Sequence, residues 1–338
     1  MTRKRDLLMS PSAALGVRSS ALPARRPAAP PARSGPAAAA PKKHKKKFGR
    51  DGLAATIFLL PWLIGVVGVT MGPLLASAWL SLTSYDLFTA PVWTGVSNYV
   101  RMFTQDPTFY TSLRVTFTYV GVSVPILLIA ALLLAIMLNR GLKGLAVYRT
   151  LFYLPTLLGA SVALAVLWRQ VFSTGGMINQ VLSWLGITGP SWLGDPSTAL
   201  STLVVLNVWT FGGTMVIFLA GLRQIPDHYY EAAQVDGAGA LARFWHVTLP
   251  MLSPVILFNG VLAIIRAFQS FTSAYVISGG SGAPANSTLF YSLYLYQQAF
   301  VNYHMGYAAA MAWFLLVIIG VFTALAFGSS RWWVFYGE

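Results

Sequence analysis

Residues 115–138 read VTFTYVGVSVPILLIAALLLAIML, a run with no charged residue. A helix needs roughly 20 mostly apolar residues to cross a bilayer core. This run meets that length, and five others in the chain do too. Leu53–Leu82, Thr150–Trp168, Leu200–Leu222 and Tyr307–Ser330 are free of charge, and Pro254–Ile277 carries only Arg266. Gly, Pro, Asn and Ser punctuate the segments between them. The chain of 338 residues is 56% hydrophobic and only 9% charged. Its mean hydropathy is +0.63. A soluble globular domain carries about a quarter charged residues. The pattern predicts an all-α integral membrane protein with six transmembrane helices over 51–338.

The net charge of +14 does not contradict this, because it is concentrated outside those spans. Residues 1–50 carry +12 and residues 51–338 only +2. The first 50 residues are rich in Ala, Pro, Ser and Arg. That composition cannot bury a core and predicts a disordered cytoplasmic tail. Pro11 and Arg18 interrupt its short apolar stretches, which argues against a signal peptide. Its basic run, Lys42-Lys43-His44-Lys45-Lys46-Lys47, reads either as a topology anchor or as a patch for anionic lipid or nucleic acid.

With the tail inside, the inner segments hold 19 Lys and Arg, including Arg140, Lys143, Arg149, Arg223, Arg243 and Arg331. The outer segments hold three: Arg101, Arg114 and Arg169. This bias predicts a multi-pass protein of the cytoplasmic membrane with both termini inside. The outer stretches 83–112, 173–198 and 278–303 are rich in Trp, Tyr, Gly or Pro, which suits interfacial belts.

There is no cysteine, so disulfides and thiolate chemistry are excluded. His44, His228, His246 and His304 have no ligand spacing with one another, so no metal site and no cofactor is expected. A membrane-embedded enzyme would need such a cluster, and none is visible. A secondary transporter would use carboxylates inside its spans for ion coupling, and none lies there.

The segment 225–250, between the fourth and fifth spans, does not read as a simple loop. It holds Asp227, Glu231 and Asp236, three of the nine acids. Pro226 and Asp227 can open a helix. Glu231, Ala232 and Ala233 extend it. Gly237 and Gly239 end it or allow a close turn. A second short helix is predicted over Leu241–Thr248, with Pro250 and Pro254 leading into the fifth span. The segment could be a plain connector, but small residues among the acids also suit a docking element on the cytoplasmic face.

The spacing Glu231-Ala232-Ala233, Gly237, Val247, Leu249-Pro250 resembles the EAA loop of binding-protein-dependent ABC importer permeases. The resemblance spans roughly 51–336 and is nearest to carbohydrate permeases of the maltose and glycerol-phosphate type, the first of their two paired permeases. Phe58-Leu59-Leu60-Pro61, residues 148–155 (YRTLFYLP), residues 192–196 (WLGDP), Leu219-Ala220-Gly221-Leu222 and Phe268-Gln269-Ser270-Phe271 support it. Val247 stands where Ile is commoner.

The resemblance implies a permease subunit with a cytoplasmic coupling helix between helices 4 and 5. Its partners would be a second, homologous permease in a heterodimer, two ATP-binding subunits, an external solute-binding protein and membrane lipid, but no nucleic acid. Glu231, Ala232, Ala233, Asp236, Gly237, Leu249 and Pro250 would meet the ATPase. This chain would hydrolyse no ATP, and its sequence contains no phosphate-binding P-loop. Asn207-Val208-Trp209 resembles the fourth-span motif of the maltose type. Asn207, Thr210, Phe211 and Thr214 would then share one helical face toward the solute, with Ala263, Arg266, Ala267 and Ser270 on a facing helix. Polar groups at that depth also serve as interhelical hydrogen bonders. Arg266 is the one strong charge inside a span, which makes it a functional candidate.

Overall fold

A computed structural model describes residues 51–139, 144–159 and 161–335, with side chains from Thr56 onward. The basic tail, Arg140 and Lys143 lie outside the described residues. The chain divides into two compact units, Met1–Leu59 and Leu60–Glu338. The described part of the first is the opening of helix α1 (Asp51–Ile64). Its Ile57, Phe58 and Leu59 side chains are exposed, as suits a lipid-facing helix.

The second unit begins inside α1 and runs through a π-helical stretch, Gly65–Met71, into α2 (Gly72–Leu80). A two-residue ribbon follows, β1 (Thr83–Ser84) antiparallel to β2 (Val92–Trp93). Then come α3 (Ser97–Thr104), α4 (Pro107–Asn139), α5 (Leu145–Leu158), α6 (Val162–Val171), α7 (Met177–Trp184), α8 (Pro196–Trp209) and α9 (Gly212–Gln224). The remainder is α10 (Asp227–Val235), α11 (Ala240–Arg243), α12 (Leu249–Phe268), α13 (Thr272–Ser278), α14 (Tyr291–Tyr296) and α15 (Met305–Trp333).

The all-α membrane architecture holds, but its spans are less regular than expected. Thr56–Leu80, Pro107–Asn139, Ala240–Ser278 and Met305–Trp333 are long and apolar enough to cross. The count reaches six only if two bent pairs each cross as one span. Helices α5 and α6 meet at 106°, and α8 and α9 at 43°. Glycines mark both breaks. Gly159 ends α5 with φ of 58°, a conformation that favours glycine. Gly212 follows the α8 break.

The helix predicted over Leu241–Thr248 is not separate. Helix α11 runs through a π-helical stretch, Phe244–Thr248, straight into α12. Pro250 lacks an N–H and its ring crowds the preceding turn. Widening that turn fits this, with the Leu249 N–H reaching back to the Phe244 carbonyl.

Helix α4 is the central post. It buries Phe109, Ser112, Thr116, Tyr119, Ser123, Leu127, Ala131, Ala135 and Leu138 along one stripe. The opposite side, including Val122, Ile126, Ile129, Leu133 and Met137, is exposed. One apolar cluster joins this stripe to α8, α12, α14 and α15 through Phe109, Leu203, Phe268, Tyr291 and Met311. A second joins Ala131 and Ala135 to Met215, Phe218 and Leu252. At Gly221 an added Cβ would lie 2.9 Å from Leu252 and 3.1 Å from Val255, so α9 and α12 pack there without room for a side chain.

Candidate functional site

The 225–250 segment forms a helical hairpin. Helix α10 carries Glu231, Ala232 and Ala233 in its middle. It ends with the Ala238 N–H on the Ala233 carbonyl at 2.8 Å and the Gly237 N–H on the Gln234 carbonyl at 3.0 Å. Gly237 turns the chain at φ of 78°, the left-handed helix stop that glycine provides at least cost. The Tyr230 hydroxyl and Thr248 Oγ1 lie 3.1 Å apart and tie α10 to the foot of the α12 helix. Glu231, Ala232, Asp236 and Gly237 are exposed, while Ala233, Leu249 and Pro250 are half-buried. Val235 is 88% and Leu241 72% exposed, so apolar side chains stand unpartnered beside the three acids. Among the described residues no ion pair engages Asp227, Glu231 or Asp236.

Deeper in the chain, two adjoining cavities form one track, apolar over much of its wall with polar groups where the two meet. The first, about 600 Å³, is lined by Arg149, Tyr153, Thr156, Asn207, Thr210, Thr214, Asn259, Ala263 and Arg266 among others. The second, about 450 Å³, is lined by Tyr119, Thr156, Ser161, Asn207, Thr210, Arg266, Gln269 and Ser270 among others. Both volumes fall within the range of small-molecule sites. Thr156, Asn207, Thr210 and Arg266 line both cavities and so mark their junction.

The break between α8 and α9 builds this junction. Thr156 Oγ1 donates to the Thr210 carbonyl at 3.0 Å and accepts the Gly213 N–H at 3.1 Å. One hydroxyl thus satisfies two backbone groups freed by the bend. Gly212 permits the approach: a Cβ there would lie 2.3 Å from the Phe152 carbonyl oxygen.

The structure brings Asn207, Thr210, Thr214, Arg266 and Ser270 together on this track. It does not bring Phe211 or Ala267 there. Phe211 lies in the two-residue break between α8 and α9 and packs near Phe152, ring centroids 6.0 Å apart. Ala267 is only 3% exposed and faces the core. Sequence reasoning missed Thr156, Tyr153, Asn259 and Arg149. The Gly212-Gly213 pair was the available signal for the break that Thr156 bridges.

The stretch 278–303 is not only a set of interfacial anchors, because part of it packs into the core. Leu289, Phe290, Tyr291 and Leu293 are at most 1% exposed. The Tyr291 N–H donates to Thr116 Oγ1 at 2.8 Å, and its hydroxyl donates to the Met311 carbonyl at 2.9 Å. At the same end, Asp106 Oδ2 accepts hydroxyls from Tyr294 and Tyr307, each at 2.6 Å. Asp106 Oδ1 caps α4 by accepting the Thr108 and Phe109 N–H groups. Burial, then hydrogen bonding to Asp106, raises the Tyr294 phenol above its ordinary value. Among the described residues no group of His, Cys, Asp and Glu is placed to hold a metal ion.

Comparison with known proteins matches residues 107–334 to the family described as binding-protein-dependent transport system inner membrane component. The chain is 51% identical over 295 residues to the probable ABC transporter permease protein YesP of Bacillus subtilis, covering 87% of this chain and 96% of that one. It is 35% identical over 281 residues to the lactose transport system permease protein LacF of Rhizobium radiobacter, covering 81% and 93%. A chain of a bacterial alginate ABC transporter, solved with an alginate pentasaccharide-bound periplasmic protein, shares its fold. The TM-score is 0.73 at 24% identity, covering 85% of this chain and 96% of that one.

Proposed function

The chain belongs to the family of binding-protein-dependent transport system inner membrane components, and from that premise we propose that this ABC importer permease carries a carbohydrate. The relative named for lactose supports that substrate class. So does the track itself, where neutral hydrogen-bonding groups (Asn207, Thr210, Thr214, Ser270) stand beside Tyr119 and Tyr153. Sugars are held by such groups together with aromatic faces.

The observation that carries the mechanism is the exposed hairpin at Glu231–Gly237, acidic, small-residued and apolar at its edges. In this reading it seats in a cleft of a separate ATPase subunit. Glu231 meets a basic group, Ala232 and Ala233 allow close approach, Asp236 flanks them, and Gly237 sets the turn. Leu249 and Pro250 anchor the hairpin to α12, so that movement of the ATPase turns the helix lining the track. A second permease completes the pathway and an external binding protein delivers the solute. Transport is then alternating access by rigid-body motion. The termini and the hairpin lie on the cytoplasmic side, as the distribution of Lys and Arg supports.

The test is uptake by the assembled transporter in proteoliposomes. Glu231→Lys inserts and folds normally but loses ATP-driven uptake. Wild-type uptake by that variant rejects the docking role. Family membership already favours this reading over a secondary transporter.

A further inference from the structure

Arg149 was counted above as an inner topological charge, and such side chains normally extend to water. Here its head group turns inward. Its Nε and Nη2 are buried without a hydrogen-bond partner among the described residues, and the residue lines the larger cavity with Arg266. Arg266 sits at the junction of both cavities and also lacks a partner among the described residues. No Asp or Glu lines either cavity. The remaining polar neighbours are hydroxyls and amides.

Leaving a buried donor unpaired is costly, and more so when it is charged. A cleft lined by one sign of charge between low-dielectric walls concentrates ions of the opposite sign. Guanidinium, with donors in a fixed fork, matches planar oxyanions and is always protonated. We propose that the solute is an anionic sugar, bearing carboxylate or phosphate, which passes Arg266 and Arg149 as successive binding stations along the track. This rests on the track being the solute pathway. Each arginine engages the anion as it moves from the cavity bounded by Ser270 and Gln269 to the one bounded by Arg149.

The experiment uses the full chain assembled with its partner permease and ATPase subunits, without the binding protein, so that the pathway alone selects. Binding of trigalacturonate is compared with its fully methyl-esterified form, and of glucose 6-phosphate with glucose, by saturation-transfer NMR. At low salt at least one anion binds about tenfold or more tightly than its neutral counterpart, and salt narrows the gap. Which pair shows it separates carboxylate from phosphate. In Arg266→Gln and in Arg149→Gln the anion-to-neutral preference falls toward one.

A wild-type preference near one, a preference untouched by both substitutions, or no binding of any probe at millimolar concentration overturns the proposal. Loss of the partner permease on co-purification, with no preference in the wild type, shows instead that the arginines pair with an acid on that subunit. Binding of the neutral sugars that is lost in Asn207→Leu, with no preference for anions, leaves the pathway standing and removes only the charge selectivity. If no substitution along the track alters binding or uptake of any sugar, the pathway reading falls as well.

Discussion

Thr156 carries an unusual share of the structure for one hydroxyl. It donates to the Thr210 carbonyl and accepts from the Gly213 amide. Thr156→Val keeps the shape and removes both bonds, leaving a freed donor and a freed acceptor at the bend. The expected loss is roughly 1–3 kcal/mol, read as a lower Tm of the purified complex, with Thr156→Ser recovering most of it. His304 offers a pH test. Its Nδ1 lies 2.9 Å from Gln298 Oε1, and although the residue is exposed, partial desolvation of the ring, then the charge of Arg101, lowers its pKa. A base with a depressed folded-state pKa stays neutral in the fold where the unfolded chain is already protonated. Its contribution is complete above the ordinary histidine value, about 6.5, and declines as pH falls from there through the folded-state value. Tm should therefore drop on mild acidification, and drop less in His304→Gln. Asn207 and Arg266 were legible in the sequence because polar residues stand out in apolar spans. Arg149 was not, because a cation near a span end has an ordinary explanation, and only coordinates show which way its head group points.

The hairpin around α10 was legible as an element. Pro226 and Asp227 start it, and Gly237 stops it. Gly237 meets nothing within 4 Å of an added Cβ, so only its φ of 78° resists substitution. Gly237→Ala should cost about 1–2 kcal/mol, read as a modestly lower Tm, and lower uptake per ATP hydrolysed. The 278–303 stretch was misread for a physical reason. Lacking charge and rich in Gly and Tyr, it has the composition of an interfacial loop. What buries it is long-range: Asp106, Thr116 and Met311 receive its hydrogen bonds, and no local pattern announces partners so distant in sequence. Tyr294→Phe and Tyr307→Phe should each cost roughly 1.5–3 kcal/mol, the range for a bond to a charged acceptor. Because both hydroxyls share one oxygen, the double variant should deviate from additivity. The packing stripe of α4 was hidden too, since both its faces are apolar. Its small and hydroxylic members, Ser112, Thr116, Ser123, Ala131 and Ala135, are the marks of a membrane packing face.

At the scale of the whole molecule, the lack of cysteine makes orientation directly measurable. Thr89→Cys should react with an impermeant maleimide from outside. Ala232→Cys should react only after the membrane is permeabilised, and the reverse pattern would overturn the proposed topology. The polar track has a further consequence for the cell. Arg266 and Gln269 are exposed on this chain alone, and hydrocarbon does not solvate such groups. A solitary copy is thus a damaged-looking protein to membrane proteases, while the assembled one is not. Its half-life should be short when it is synthesised alone and lengthen when the companion permease is co-expressed. The groove proposed to admit the solute would then also act as the subunit's inspection mark, keeping its abundance matched to that of the proposed companion.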